Sequence, residues 1–111
     1  MIIQIEPWID DEELKQLEEV VKSTFVTEWK KTEEFENKFR EMTGAKHTIA
    51  YSNGTMSLFA ALKALGITNG DEVIVPDLTF IASSNSIIMA GATPVFADVN
   101  KETFQISPEE I

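Results

Sequence analysis

Cysteine is absent from the chain, and histidine occurs once, as His47. The first absence excludes a disulfide framework and a thiolate metal site. The second excludes any multi-histidine centre, so no metal site is expected. Basic residues are few: nine Lys and Arg stand against 19 Asp and Glu, for a net charge of −10. Such a chain has no basic footprint for nucleic acid or an anionic membrane, because it has little positive charge with which to release counterions. No run approaches the ~20 apolar residues of a membrane span. The opening Met1-Ile2-Ile3-Gln4-Ile5-Glu6 is too short in apolar length and too acidic for a secretory signal. A cytoplasmic protein is expected, and the sequon match at Asn53-Gly54-Thr55 then reads as chance.

What is present is globular in character. Hydrophobic residues make up 43% of 111 residues, which is too apolar for a disordered chain and fits one domain or part of one. An extended arm over residues 1–9 ends in Pro7-Trp8-Ile9. Asp10, three before Glu13, makes a capping-box pattern. The helix behind it carries Leu14, Leu17, Val20 and Val21 on one face at spacings near 3.6. Ser23–Lys31 reads as a connection. A second helix is expected from Thr32, with Glu33 and Glu34 in the first turn, Phe35, Phe39 and Met42 on one face, and Gly44 as its stop. The pattern then changes to strand 47–51, helix 55–65, strand 72–75, helix 79–90 and strand 93–98, with Gly66, Asn69-Gly70-Asp71, Pro76 and Gly91 as punctuation. That alternation predicts an α/β fold with a mostly parallel sheet. Ser107-Pro108-Glu109-Glu110 is a strong helix start with one residue behind it, which reads as truncation or as a frayed tail.

The stretch Ser52-Asn53-Gly54-Thr55-Met56 carries the first functional expectation. A strand that turns through Asn-Gly into a helix leaves the helix's first N–H groups without partners, at the positive end of the dipole. Such a terminus suits a phosphate. Ligands of open parallel sheets bind beyond the carboxyl ends of the strands, and two turns lie there: Ser52–Met56 and Pro76–Phe80. The first offers Gly54, the Thr55 hydroxyl and the N–H groups of Thr55 and Met56. The second offers the Phe80 ring. Together they suit a planar, phosphorylated aromatic cofactor. Taken singly, Asn-Gly-Thr is also an ordinary turn and cap, and a Phe at a helix start is also an ordinary core residue.

Several longer runs are more specific: Lys46-His47-Thr48-Ile49-Ala50-Tyr51-Ser52-Asn53-Gly54-Thr55, Ala61-Leu62-Lys63-Ala64-Leu65-Gly66-Ile67, Gly70-Asp71-Glu72-Val73-Ile74-Val75-Pro76, Thr79-Phe80-Ile81-Ala82, and Gly91-Ala92-Thr93-Pro94-Val95-Phe96-Ala97-Asp98-Val99. In order and spacing they resemble the DegT/DnrJ/EryC1/StrS family of pyridoxal-phosphate (PLP) sugar aminotransferases, from the first helix to residue 111. Glu6-Pro7-Trp8 with Asp11-Glu12-Glu13 is most similar to the perosamine-synthase branch. The resemblance implies the N-terminal part of the large domain of the aspartate-aminotransferase fold (fold type I). Residues 1–44 would form the arm and two helices, and 45–111 the incomplete first part of the PLP-binding domain. It implies that Gly54, Thr55 and Met56 hold the cofactor phosphate and that Phe80 stacks on the pyridine ring. His47, at the wrong end of its strand, reads as structural, and Asp98 as a turn residue. Phe25-Val26-Thr27-Glu28-Trp29-Lys30-Lys31 departs from the family, where Trp-Ile is followed by small residues. The resemblance puts this loop near the substrate, so its bulk bears on which sugar is accepted.

Transamination needs a lysine amine to form the Schiff base and move the proton, and an acid partner for the pyridine nitrogen. In the family both lie beyond residue 111, and none of the eight lysines here sits in a matching motif. No catalytic residue is therefore assigned, and the chain alone is expected to be inactive, with an incomplete PLP site. In the family fold, strand 47–51 lies at the far edge from the other two strands, with later sequence between, so a lone piece must re-pair its strands or leave an edge open. The resemblance implies transfer of an amino group, with glutamate as donor, to a nucleotide-linked keto-sugar, by a homodimer when full length. A dehydrase using pyridoxamine phosphate and a non-catalytic phosphate-binding or scaffolding domain are the alternatives.

Overall fold

Asp10 opens the first helix by two reciprocal bonds. Its Oδ1 accepts the Glu12 N–H at 2.9 Å, and its own N–H donates to Glu13 Oε2 at 2.8 Å. The Glu12 N–H, followed by the Trp8 indole N–H on the other oxygen, holds the Asp10 carboxyl below its ordinary value. The expected capping box is thus formed, and α1 runs Asp11–Ser23. The computed structural model describes residue 3, residues 5–27 and residues 29–111, with the backbone alone at Glu110. Met1, Ile2, Gln4 and Glu28 lie outside the described residues, and with them part of the arm expected over 1–9 and the acidic member of the 25–31 loop. The chain divides into two compact units, Met1–Ala50 and Tyr51–Ile111.

In the first unit, α2 runs Lys30–Thr43, two residues ahead of the expected start. The Trp29 carbonyl accepts the N–H groups of both Thr32 and Glu33, so the helix needs no side-chain cap and begins before the acidic pair. It ends at Gly44 with φ of 69°, in the left-handed region, as expected. Lys31 ties α2 to α1: its ammonium lies 2.8 Å from Glu19 and also bonds Gln16 Oε1. Phe25 and Trp29 stack with centroids 5.0 Å apart. Neither helix buries a residue. The apolar faces expected from spacing exist, but Leu14, Leu17, Phe35, Phe39 and Met42 all remain exposed.

The strand expected over 47–51 is not formed. These residues have no ladder partner among the described residues. The Ala50 N–H donates instead to Glu36 Oε1 at 2.7 Å, and the Thr48 hydroxyl to the Glu36 carbonyl at 2.7 Å. A β-rich sequence becomes a strand only when a neighbour supplies the other half of the ladder; here side-chain and helix acceptors take the segment's donors.

The second unit is built on a parallel pair. β1 (Glu72–Pro76) and β2 (Thr93–Ala97) run in register from Glu72 opposite Thr93 to Pro76 opposite Ala97. The connection between them is α4, Ala82–Ala90. α3, Gly54–Ala64, packs on α4. Val75 (4% exposed), Ile87 (3%) and Ala92 form the core, with Leu62, Ile67 and Val73 packed against it. α4 faces both α3 and the strands, and its buried positions are mostly small: Ala82, Ser84, Ser86 and Ala90 beside Ile87. The two buried hydroxyls donate to the carbonyls of Ile81 and Ser83, so close packing leaves no orphaned polar group.

α4 starts three residues later than the expected Thr79. The backbone past β1 still follows β2, with the Asp77 N–H on the Ala97 carbonyl at 3.0 Å, and the Thr79 and Ser83 hydroxyls meet at 3.0 Å. Phe80 and Ile81 supply the first carbonyls that the helix accepts on. At the other end Gly91 has φ of 93°, and a Cβ there would stand 3.4 Å from the Asn69 backbone nitrogen, so the stop requires glycine. Asp98, expected as a turn residue, lies in irregular backbone just past β2: its Oδ1 accepts the Val99 N–H and its carbonyl the Ser107 N–H. Pro108–Glu110 forms a single 3-10 turn where a helix start was expected.

Candidate functional site

The turn at which a phosphate site is expected lies at the start of α3. Asn53 is its N-cap, in extended conformation, and its Oδ1 accepts the Met56 N–H at 3.0 Å. The Asn53 carbonyl accepts the Ser57 N–H, and the Ser57 hydroxyl donates to the Gly54 carbonyl at 2.7 Å. Among the described residues no acceptor meets the N–H groups of Gly54 and Thr55 or the Thr55 hydroxyl. Of the donors expected at this turn, Gly54 and Thr55 thus keep theirs available, while that of Met56 is held by the cap.

The sequence reading allowed for a cap at Asn-Gly-Thr but not for its hold on the Met56 N–H. Asn is among the favoured N-cap types because its side chain satisfies the N2 or N3 N–H, and Asn53 stands three before Met56. An Asn-Gly turn read only for its glycine omits that bond.

Phe80 stands between β1 and α4, beyond the carboxyl end of β1, with 77% of its surface exposed. A large ring so placed contributes little to the core. Space at the turn is open as well: a Cβ placed on Gly54 meets nothing within 4 Å. Two backbone N–H groups, one hydroxyl and the positive end of an 11-residue helix make a donor set whose chemistry fits a phosphate dianion. The exposed ring fits an aromatic heterocycle.

His47 is exposed in the extended segment before the turn. Lys15, Lys22 and Lys31 pair with carboxylates on α1 and α2, and Lys63 donates to two main-chain carbonyls. A cavity of about 510 Å³ in the first unit is lined by Val20, Ser23 and the 25–31 loop through Phe25, Thr27, Trp29 and Lys31, and contains none of Gly54, Thr55, Met56 and Phe80. No group of three or more metal-ligating side chains converges among the described residues. No described helix is long and apolar enough to cross a membrane.

The family model for the DegT/DnrJ/EryC1/StrS aminotransferases matches residues 7–111. The chain belongs to this family. GDP-perosamine synthase of Vibrio cholerae is 45% identical over 112 residues, covering all of this chain and 30% of the relative. An aminotransferase from Psychrobacter cryohalolentis superimposes with a TM-score of 0.87 at 43% identity, over 95% of this chain and 28% of the solved one. A sugar aminotransferase of Streptococcus pneumoniae, solved in its PLP form, gives 0.87 at 34% identity over 91% and 26%. The chain therefore spans about 30% of the length of the curated relative. The expected fold class holds. This is an α/β chain with parallel strands, corresponding to the N-terminal part of the PLP-aminotransferase fold, although the first expected strand has no partner.

Proposed function

We propose that the full-length protein is a PLP-dependent aminotransferase that moves an amino group, from glutamate, to a nucleotide-linked keto-sugar. The observation that carries this reading is the pair of N–H groups at Gly54 and Thr55 that meet no acceptor among the described residues, on a helix that lies within the family match. The name of the Vibrio cholerae relative supports a nucleotide-linked substrate. The reading includes a homodimer in the cytoplasm. Residues 1–44 act as arm and helical layer, and 45–111 as the opening part of the cofactor-binding domain.

In this reading Gly54 and Thr55 hold the cofactor phosphate through their N–H groups and the Thr55 hydroxyl, with the α3 dipole adding positive potential. Met56 joins them when Asn53 releases its N–H. Phe80 covers one face of the pyridine ring, fixing its plane and excluding water from it. The bound cofactor supplies an electron sink for the substrate carbanion. No residue of this chain is assigned a proton-transfer role, and the 111 residues alone are inactive.

The test is to purify the chain, add PLP, and assay amino transfer from glutamate to a keto-sugar nucleotide, alongside the full-length protein. Transfer by the full-length protein alone is the expected result. Transfer by the isolated chain, or a stable cofactor absorbance band on it, overturns the inactivity. A full-length protein that ignores both PLP and the keto-sugar overturns the whole reading.

A further inference from the structure

Lys63 lies in the last turn of α3. Its ammonium donates to the carbonyl of Ile67 at 3.0 Å and to the carbonyl of Ala90 at 3.3 Å. Ala90 is the last residue of α4, and Ile67 follows the end of α3. The final carbonyls of a helix lack partners within it and sit at the negative end of its dipole. One cation therefore joins the last carbonyl of α4, 27 residues on in sequence, to the loop that follows α3. α4 is also the element on which α3 packs, through a core that includes Leu62. The segment leading into α3 is outside the sheet and pairs with no strand among the described residues. α3 itself is half-buried at Thr55, Met56, Ser57, Phe59 and Ala60 in its first turns, and in its last turn at Leu62 with the Lys63 tie beside it.

We propose that Lys63 is a positioning residue for the cofactor phosphate. By tying α3 to α4 it sets where the donors of Gly54 and Thr55, which open α3, stand relative to Phe80, which precedes α4. This rests on the phosphate reading of the turn. With a rise of 1.5 Å per residue, a tilt of about 5° at the Lys63 end moves the Gly54 end by roughly 1.2 Å across the helix axis. A displacement of that size lengthens and bends the hydrogen bonds those donors make.

The test uses the full-length protein with Lys63→Met and Lys63→Arg, and Lys101→Met as the control from an exposed turn. PLP affinity is measured by titration, the environment of the bound phosphate by its phosphorus resonance, and the melting temperature without cofactor. Lys63→Met is expected to weaken PLP binding about three- to tenfold, the loss of one or two modest hydrogen bonds' worth of alignment, and to shift the phosphorus resonance. Lys63→Arg restores both. If Lys63→Met does not fold, Lys63→Gln, which keeps an N–H donor on a shorter arm, is compared in its place and gives an intermediate loss. A lowered melting temperature with unchanged affinity and resonance makes Lys63 merely structural and overturns the proposal, while the aminotransferase reading stands. If the unmutated protein binds no PLP, that reading falls and the proposal with it.

Discussion

Residues 1–50 carry the sharply two-faced helices and residues 51–111 the more uniformly apolar ones, and the two regions differ in what their apolar side chains do. In the second unit Ile87 and Val75 are almost wholly buried. In the first, Leu17 is 62% exposed, and α1 and α2 are joined by Lys31 and its acidic partners instead of by a packed face. Spacing shows that a helix has an apolar side; it does not show that the covering layer lies within reach. The second unit carries its own layers, α3 on α4 on two strands. The chain supplies about 30% of the relative's length, and the first unit's faces go uncovered within it.

Three measurements sharpen or break that contrast. The largest expected effect is at Ile87. In urea titration of the 111-residue chain, Ile87→Ala should cost about 2–5 kcal/mol, as for other buried large-to-small changes, whereas Leu17→Ala should stay within about 0.5 kcal/mol of the unmutated chain. Equal losses at the two sites would erase the difference between the units. A smaller effect is expected at Thr55. In the full-length protein Thr55→Val removes one phosphate donor while keeping the side chain's shape. PLP affinity should fall about tenfold, the scale of one charge-assisted bond, with the melting temperature of the apo protein unchanged. An unchanged affinity would remove Thr55 from the site.

The smallest effect is electrostatic and belongs to the first unit. Lys31 holds the Glu19 carboxyl below its ordinary 4.5, and Glu19 first, then Glu34, raise Lys31 above 10.5. The Glu19 contribution is complete above pH 4.5 and is lost as pH falls through the depressed value. The Lys31 contribution is complete below pH 10.5 and is lost as pH rises through the raised one. Lys31→Met should therefore lower helix content slightly between about pH 5 and pH 10, and the difference should vanish at both extremes and shrink in 1 M salt. A difference that persists at pH 3 would show that Lys31 acts through packing of its alkyl stem.

What the sequence disclosed follows the range of the interactions concerned. Asp10, Gly44, Gly66 and Gly91 act within a few residues, and the helix ends they mark were legible. β1 and β2 were legible because each has its partner inside the chain. Segment 47–51 has strand-forming residues and no strand beside it, and that lack cannot be read from its own letters. The onset of α4 was misplaced because it depends on the Asp77 link to β2, a bond across 20 residues. The proposed roles of Gly54, Thr55 and Phe80 rest on local pattern and family likeness. The engagement of Met56 by Asn53 was written in the sequence but overlooked, and the reach of Lys63 to Ala90 is purely a product of folding.

The β1–β2 ribbon has consequences before any cofactor arrives. No strand flanks it on either side among the described residues, and unpaired strand edges of this kind recruit other chains. Whatever covers the ribbon, a neighbouring strand or a chaperone, decides whether the protein stays solitary in a crowded cell.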